Sequence, residues 1–308
     1  MRFLGSSSLP VRAGVIRGGL GIAVLALVVG GSAFAFASGP SKVDMAILQM
    51  EQVDVRLSAM PSMVGTVAKA ATERGNAEAS KVAPLLEEAA RGSFKASDLS
   101  KEILDDLAEA DDGKVDPGAL SKAAAAFVDG REKIDEMYRS QDQAKAKEIE
   151  ARVGSAEDGP RITQLAEMMA SPDLAVETAL TAQVMYASLE AASDAEAAEL
   201  TSAPKDKLQS ELQGVVTSLR GKTENEKPLQ KDVARMDEKA RITFALATLS
   251  SQDLSVLADF YQSEEGKAKR KALVESYGKA SDQANTRMLG EYFSELAIYL
   301  KANPRSQQ

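Results

Sequence analysis

The spacing of apolar residues is the feature that most limits the folds open to this chain. After residue 40 these residues recur at intervals of three and four, and Val and Ile form no alternating runs of the kind that half-buried strands show. Alanine, which has the highest helix propensity, is abundant. The sequence therefore predicts an all-α fold. The first run places six apolar residues on one helical face, namely Val43, Ile47, Met50, Val53, Leu57 and Met60.

Start and stop signals divide the chain into about ten short to medium helices, which we expect to pack antiparallel. Asp116 followed by Pro117 predicts a helix start, because Asp caps the first amides and Pro fits the first turn. Ser250 predicts another start. The last helix should run from about residue 264 to near residue 300, where Asn303-Pro304 stops it.

Two further boundaries are predicted from proline and from a capping motif. Pro61 should open a second helix, because inside a helix it removes a backbone hydrogen bond and clashes with the preceding turn. Ser140 with Gln143 has the spacing of a capping box, in which the two side chains satisfy each other's free amides.

A loop of seven small or polar residues occupies positions 154–160 and reads Gly-Ser-Ala-Glu-Asp-Gly-Pro. Such a cluster is typical of a connection between larger units. We therefore predict an N-terminal helical region at 38–153, a linker at 154–160 and a C-terminal helical domain at 161–308.

The N-terminus has the pattern of an export signal. Residues 1–17 contain three Arg and no acid, residues 18–30 are apolar, and residues 31–37 are small or aromatic and end in Ala-Phe-Ala. We predict a signal peptide at 1–37. An uncleaved anchor is the alternative, because positions 18–41 are uncharged over a length that could span a bilayer.

Both interpretations place residues 38–308 outside the cytoplasm. The protein is then periplasmic or secreted, or it is anchored in the inner membrane and faces the periplasm, with membrane contact only through the N-terminal segment. Removing residues 1–37 would take three positive charges from a chain of net charge -9 and leave -12. This acidity argues against nucleic acid as a partner, because phosphate binding needs a basic surface.

The composition excludes several kinds of chemistry. The sequence has no His, Cys or Trp, so it has no imidazole base, thiol nucleophile, disulfide or zinc–thiolate site. Ser-x-x-Lys pairs occur at Ser202/Lys205 and Ser276/Lys279, but their number is what chance predicts. The acidic cluster at 105–116 lacks the spacing of a calcium loop. We expect no catalytic, cofactor-binding or metal site, and no cofactor.

One segment resembles a known family. Residues 244–279 contain Ser250, Asp253, Leu254 and Leu257 at a helix start, and then the motif formed by Phe260, Tyr261, Ser263, Gly266 and Lys267. This pattern resembles a family of secreted, all-helical bacterial proteins known only as a domain of unknown function, with the signature Phe-Tyr-x-Ser/Thr-Pro-x-Gly-Lys. Glu264 stands where that family has Pro, and Glu is also favourable in the first turn of a helix.

The resemblance implies a helical envelope protein and gives it no established activity. From the residues themselves, Ser263 should cap a helix, Gly266 should allow two helices to approach, and Phe260 and Tyr261 should close the corner between them. A recognition surface at this corner is the alternative. A second Tyr-x-Ser segment at 138–145 aligns with 261–268. Two explanations stay open: the chain contains two related helical units, or capped helix starts in an acidic protein simply look alike.

These observations favour an exported, non-enzymatic helical protein that acts through protein–protein contacts with another envelope protein. A carrier or chaperone-like binder of apolar ligands or lipids is the alternative, because Met adapts to varied apolar partners. Six methionines are predicted to lie on helices, namely Met45, Met50, Met60, Met63, Met168 and Met169. A carboxylate-based hydrolase is a second alternative.

Overall fold

A computed structural model describes residues 40–170, 172–194, 205–226 and 228–304. These ranges contain twelve helices and no strand, so the predicted all-α fold is confirmed. The predicted signal segment 1–37 and Ser202 lie outside the described residues. The helices are α1 (Lys42–Met50), α2 (Val53–Glu73), α3 (Ala79–Ser93), α4 (Ala96–Leu107), α5 (Pro117–Ser140), α6 (Gln143–Val153), α7 (Gly159–Met169), α8 (Pro172–Asp194), α9 (Lys205–Glu226), α10 (Pro228–Leu246), α11 (Ser251–Gln262) and α12 (Glu264–Ala302).

The two strongest helix starts are where the sequence predicts them. The Asp116 carboxylate accepts the amides of Gly118 and Ala119, and Pro117 is the first residue of α5. The Ser250 hydroxyl oxygen accepts the amide of Asp253 at 3.1 Å and so caps α11. These caps are predictable because all of their atoms lie within one turn of the chain.

The boundary predicted at Pro61 is wrong. Pro61 lies inside α2, and the chain breaks nine residues earlier at Gln52, whose φ of 53° is in the left-handed region. Pro removes only one backbone hydrogen bond, and the buried face that includes Leu57, Met60 and Val64 carries the helix through that position. The first predicted helix is therefore two helices, α1 and α2.

The predicted capping box at Ser140 is also wrong. Ser140 is the last residue of α5, and the cap of α6 is Asp142, which accepts the amides of Ala144 and Lys145. Gln141 takes a left-handed φ of 55° between the two helices, which reverses the chain before Asp142. Asp is as good a cap as Ser, so Ser140 and Asp142 are two possible helix caps only two residues apart.

Helix α12 is the longest of the described helices and packs against several of the others. Its 39 residues make it about 58 Å long. It packs against α3, α4, α8, α9 and α11, and it also touches α1. Helix α5 packs against α1, α10 and α11 on the other side of the molecule.

The loop at 154–160 becomes the turn between α6 and α7, with α7 beginning at Gly159. Helices on both sides of this turn pack on one another, as α3 and α4 do on α12, and they contribute to one buried apolar cluster. The division into two domains at this loop stays a prediction.

A buried lysine on α12 fixes the start of the described chain. The Lys269 side chain is 1% exposed, and its Nζ donates to Asp44 Oδ1 at 2.7 Å, to Asp112 Oδ1 at 2.8 Å and to the Leu107 carbonyl at 2.9 Å. Asp112 also accepts the hydroxyl of Ser41, the cap of α1. One ammonium group thus joins α12 to α1, to α4 and to the acidic segment that follows α4.

The ammonium stays charged in this place. Burial alone would lower the pKa of Lys269, but the hydrogen bonds and charges of Asp112 and Asp44 outweigh it and raise the pKa above its ordinary value. Lys269 lies on the same helical face as the buried residues Leu273 and Tyr277. Its position in the sequence of α12 therefore directs its charged side chain into the core.

Replacing Lys269 by Met should lower the free energy of unfolding by about 3–5 kcal/mol, because Asp44 would remain buried without a partner. The double variant Lys269→Met/Asp44→Leu should recover most of that loss, since it removes both charges. Urea denaturation followed by circular dichroism measures both variants. Lys271→Met is the matched control: that side chain is 77% exposed, and its loss should cost less than about 0.5 kcal/mol. Equal losses at 269 and 271 would contradict this account.

Candidate functional site

The family-like motif forms the corner between α11 and α12. Ser263 ends α11 and caps α12: its Oγ accepts the amide of Gly266 at 2.9 Å and donates to the Phe260 carbonyl at 2.7 Å. A Cβ at Gly266 would lie 2.0 Å from that same carbonyl oxygen. Only glycine fits here, because any side chain would push the two helices apart.

Most of the motif is buried. Phe260 and Tyr261 are 2% and 4% exposed, and their rings meet edge to face with centroids 5.4 Å apart. Lys267 is exposed and pairs with Glu264 at 2.7 Å on the first turn of α12. The structure thus brings the five motif residues together at one corner, with the aromatic pair facing inward.

Tyr261 belongs to a largely buried group that also contains five charged side chains. We call this group the charge cluster; its members are Glu51, Arg56, Arg131, Glu238, Tyr261 and Arg270. The Tyr261 hydroxyl lies 3.4 Å from Glu51 Oε1, and Arg270 Nε donates to the same oxygen at 3.1 Å. The guanidinium of Arg270 lies 5.7 Å from the centre of the Tyr261 ring and also donates to the carbonyls of Met168 and Met169.

The other half of the charge cluster joins α2, α5 and α10. Arg56 donates to Glu238 Oε1 at 2.7 Å and to the Glu51 carbonyl at 3.0 Å. Arg131 donates to Gln52 Oε1 at 2.8 Å and lies over the Phe127 ring, 4.9 Å from its centre. The left-handed backbone at Gln52 is therefore held in place by a charged donor from α5.

Burial decides the direction of the pKa shift at three members of the charge cluster. It raises the pKa of Glu238, against the opposing effect of Arg56, and it raises the pKa of Tyr261 well above the ordinary phenol value. Burial and the nearby Arg56 lower the pKa of Arg131. Glu238 Oε2 and Arg131 Nε are buried without a hydrogen bond to the described residues. The cluster thus holds three guanidinium groups against two carboxyls.

A surface groove is connected to the charge cluster through Met168. It has a volume of about 680 Å³ and is widely open to solvent. Its walls are the α6–α7 turn, α7 and α10, and one of its lining residues is Met168, whose carbonyl binds Arg270. The groove is lined by Val153, Gly154, Ser155, Gly159, Pro160, Thr163, Gln164, Glu167, Met168 and Lys239.

Charged side chains span the groove between α7 and α10. Glu167 accepts from Arg235 at 2.7 Å and from Lys239. The hydrogen bond from Lys239, with the charge of Arg235, lowers the pKa of Glu167 below its ordinary value, although burial opposes this. All three side chains remain at least 36% exposed.

An ion pair fixes the α6–α7 turn that forms one end of the groove. Arg152 donates to Asp158 Oδ2 at 2.9 Å and to the Ala247 carbonyl at 2.9 Å, and Ser251 donates to the same Asp158 oxygen at 3.2 Å. The hydrogen bond from Arg152 lowers the pKa of Asp158 most, and burial only partly offsets it. The turn is therefore tied to the start of α11.

The two residues of the Ser-x-x-Lys pair, Ser276 and Lys279, both bind the carboxylate of Asp106. Ser276 Oγ donates to Asp106 Oδ2 at 2.8 Å and Lys279 Nζ does so at 3.1 Å, so both residues bind the carboxylate between them. Asp112, in the same acidic segment, binds Lys269. Within the ranges that the structure describes, no three His, Cys, Asp or Glu side chains converge as a metal site.

The methionines lie mainly in the core. Met50, Met60 and Met169 are at most 2% exposed, whereas Met45 and Met63 are partly buried against the core. Among the six, Met168 is the one that lines the groove. Among the described helices, none has the length and apolar character to cross a bilayer.

The chain matches no protein-family model, no curated protein and no solved structure. The resemblance of residues 244–279 to a secreted helical family therefore stays a prediction, and the site has to be interpreted from its own geometry.

Sequence reasoning missed the charge cluster and the groove. Glu51, Arg131 and Glu238 do not stand out in the sequence, because the convergence of the charge cluster depends on how α2, α5, α10, α11 and α12 pack around the end of α1. Arg270 is different, because it follows the buried Lys269 and precedes Leu273 by three positions on the same side of α12. That position could have been recognised as a charge on an apolar face.

Gly266→Ala should lower the free energy of unfolding by about 2 kcal/mol or more, because the new methyl group would clash with the Phe260 carbonyl. Gly65→Ala is the matched control: nothing lies within 4 Å of a Cβ at that helical position, so it should raise stability by about 0.5–1 kcal/mol. Thermal melts of the two variants test the corner. A stabilised or neutral Gly266→Ala would show that the close approach is not required.

Asp158→Asn should lower the free energy of unfolding by about 1–2 kcal/mol at pH 7, and this loss should disappear in acid. The folded-state pKa of Asp158 lies below the ordinary value of 3.8, so the charged group stabilises the fold above that pH and loses this contribution as the pH falls through the folded-state pKa. Urea denaturation of both proteins at pH 7, 4 and 3 measures the difference. Asp135→Asn, at an exposed position of α5, is the control. A difference between wild type and Asp158→Asn that grows on acidification would contradict the prediction.

Proposed function

We propose that this chain is an exported helical scaffold of the bacterial envelope that acts through protein–protein contacts, with the groove between α6, α7 and α10 as the contact surface. The observation that carries the proposal is the composition of this groove. It combines the apolar groups of Val153, Pro160 and Met168 with the charged side chains of Glu167 and Lys239 at its edge. An apolar centre with a polar rim is the usual anatomy of a protein interface.

The way the groove is built supports the same proposal. Arg152 and Asp158 hold the turn at one end, and Arg270 binds the carbonyls of Met168 and Met169 at the last turn of α7. A partner that enters a groove with fixed walls loses less conformational entropy than one that must order them. A volume of about 680 Å³ accommodates a few side chains of a partner segment.

Export is the second component of the proposal, and it rests on the sequence. Residues 1–37 combine three Arg, an apolar stretch and a small-residue end. The periplasmic or secreted location follows from that pattern. The carrier and hydrolase alternatives stay predictions from the sequence.

A photoreactive amino acid placed at Gln164, an exposed residue that lines the groove, should form a discrete crosslinked product with another envelope protein in intact cells. The same amino acid at Gln213, an exposed residue of α9, which packs on α8 and α12, should not form this product. Mass spectrometry of the product identifies the residues joined. Products of equal yield from both positions, or none from Gln164, would refute the groove as the contact surface.

A further inference from the structure

Beside the groove, the sequence of α10 carries an exposed apolar residue between two cations. Arg235, Met236 and Lys239 are spaced by one, three and four residues, so they share one side of α10. Lys239 lines the groove, and Arg235 binds the lining residue Glu167. Met236, next to Arg235 in the chain, is 72% exposed, the highest value among the large apolar side chains that the structure describes. An unbranched, polarisable Met at the edge of a groove adapts to varied apolar side chains.

Two cations share one acid at this edge of the groove. Among the side chains that the structure describes here, Arg235 and Lys239 both pair with the carboxylate of Glu167. The whole chain carries a net charge of -9, so this edge has the opposite sign to the protein's overall charge. A cationic edge beside apolar groups is complementary to a segment that carries carboxylates next to apolar side chains.

The ion pairs of Glu167 can be exchanged at little cost. The side chains of Arg235, Glu167 and Lys239 are 44%, 47% and 36% exposed. Pairs between such exposed groups contribute little net free energy. A carboxylate of a partner could therefore join or replace Glu167 while the fold stays unchanged.

Most of the other charged side chains that the structure describes near the groove are engaged in hydrogen bonds. Arg152 and Asp158 are paired with each other, and Arg161 donates to the Ser251 carbonyl at 3.4 Å. Glu157, on the α6–α7 turn, is exposed and is the acid that a carboxylate-bearing partner would have to avoid. The attraction for a partner is thus concentrated at Arg235 and Lys239.

We infer that the groove takes an acidic, amphipathic segment of a partner protein. Apolar side chains of that segment contact Met168 and Met236, and its carboxylates bind Arg235 and Lys239. This inference rests on the proposed function, since it names the kind of partner that the same groove would accept.

Fluorescence anisotropy with synthetic peptides tests the charge preference. Three labelled peptides share one Leu pattern on a helical face and carry Glu, Gln or Lys at the flanking positions. The Glu peptide should bind wild-type protein about tenfold more tightly than the Gln peptide, and the Lys peptide should bind most weakly. Raising the salt from 50 to 500 mM should reduce the preference for the Glu peptide, because the pairs are exposed.

Arg235→Gln/Lys239→Gln should abolish the preference for the Glu peptide. Lys101→Gln/Lys122→Gln, which changes the net charge equally at exposed positions of α4 and α5, should leave it intact. The salt titration uses the wild-type chain alone and so does not depend on the folding of a variant.

Two outcomes separate this inference from the proposed function. If the Glu and Gln peptides bind alike, and Gln164→Trp weakens both, the groove binds a partner without charge selection; the inference is overturned and the proposed function stands. If no peptide binds and the Gln164 crosslink is also absent, both are overturned.

Discussion

Two neighbouring cations on α12 form ion pairs with acids at both ends of α1, and much of the fold depends on these two pairs. Lys269 binds Asp44 in the first turn of α1, and Arg270 binds Glu51, the residue that ends it. Between them, α1 buries six of its nine residues against α2, α4, α5 and α12. Because a buried charge without a partner is far more costly than a buried pair, the two pairs allow little variation in how α1 docks.

Arg270 also connects the end of α1 to the groove at the surface. Its guanidinium binds Glu51 on one side and the carbonyls of Met168 and Met169 on the other. The last turn of α7 thus has its free carbonyls satisfied by a side chain from α12, as a buried helix end requires. The groove wall at Met168 is therefore positioned by the same contact that positions α1.

The helix starts at Asp116 and Ser250 could be predicted because each cap is local to one turn. The break at Gln52 could not, since a glutamine has no intrinsic preference for a left-handed φ, and only Arg131 of α5 and the docking of α1 select it. The corner at Phe260–Gly266 was predictable as a structural motif from its residues. The groove was not, because its lining residues belong to three helices whose packing the periodicity leaves undetermined.

The sign of the surface charge connects these features to recognition. A chain of net charge -9 disfavours acidic segments in general, whereas the proposed recognition uses Arg235 and Lys239 at one edge of the groove to attract them. Such an arrangement discriminates by attraction at one place and repulsion elsewhere. The cations at 269 and 270 instead pair with Asp44 and Glu51, whose side chains are at most 5% exposed. Under the proposed recognition, the specificity of the groove would depend on the two exposed cations of α10, whereas the position of its wall at Met168 depends on Arg270 of α12.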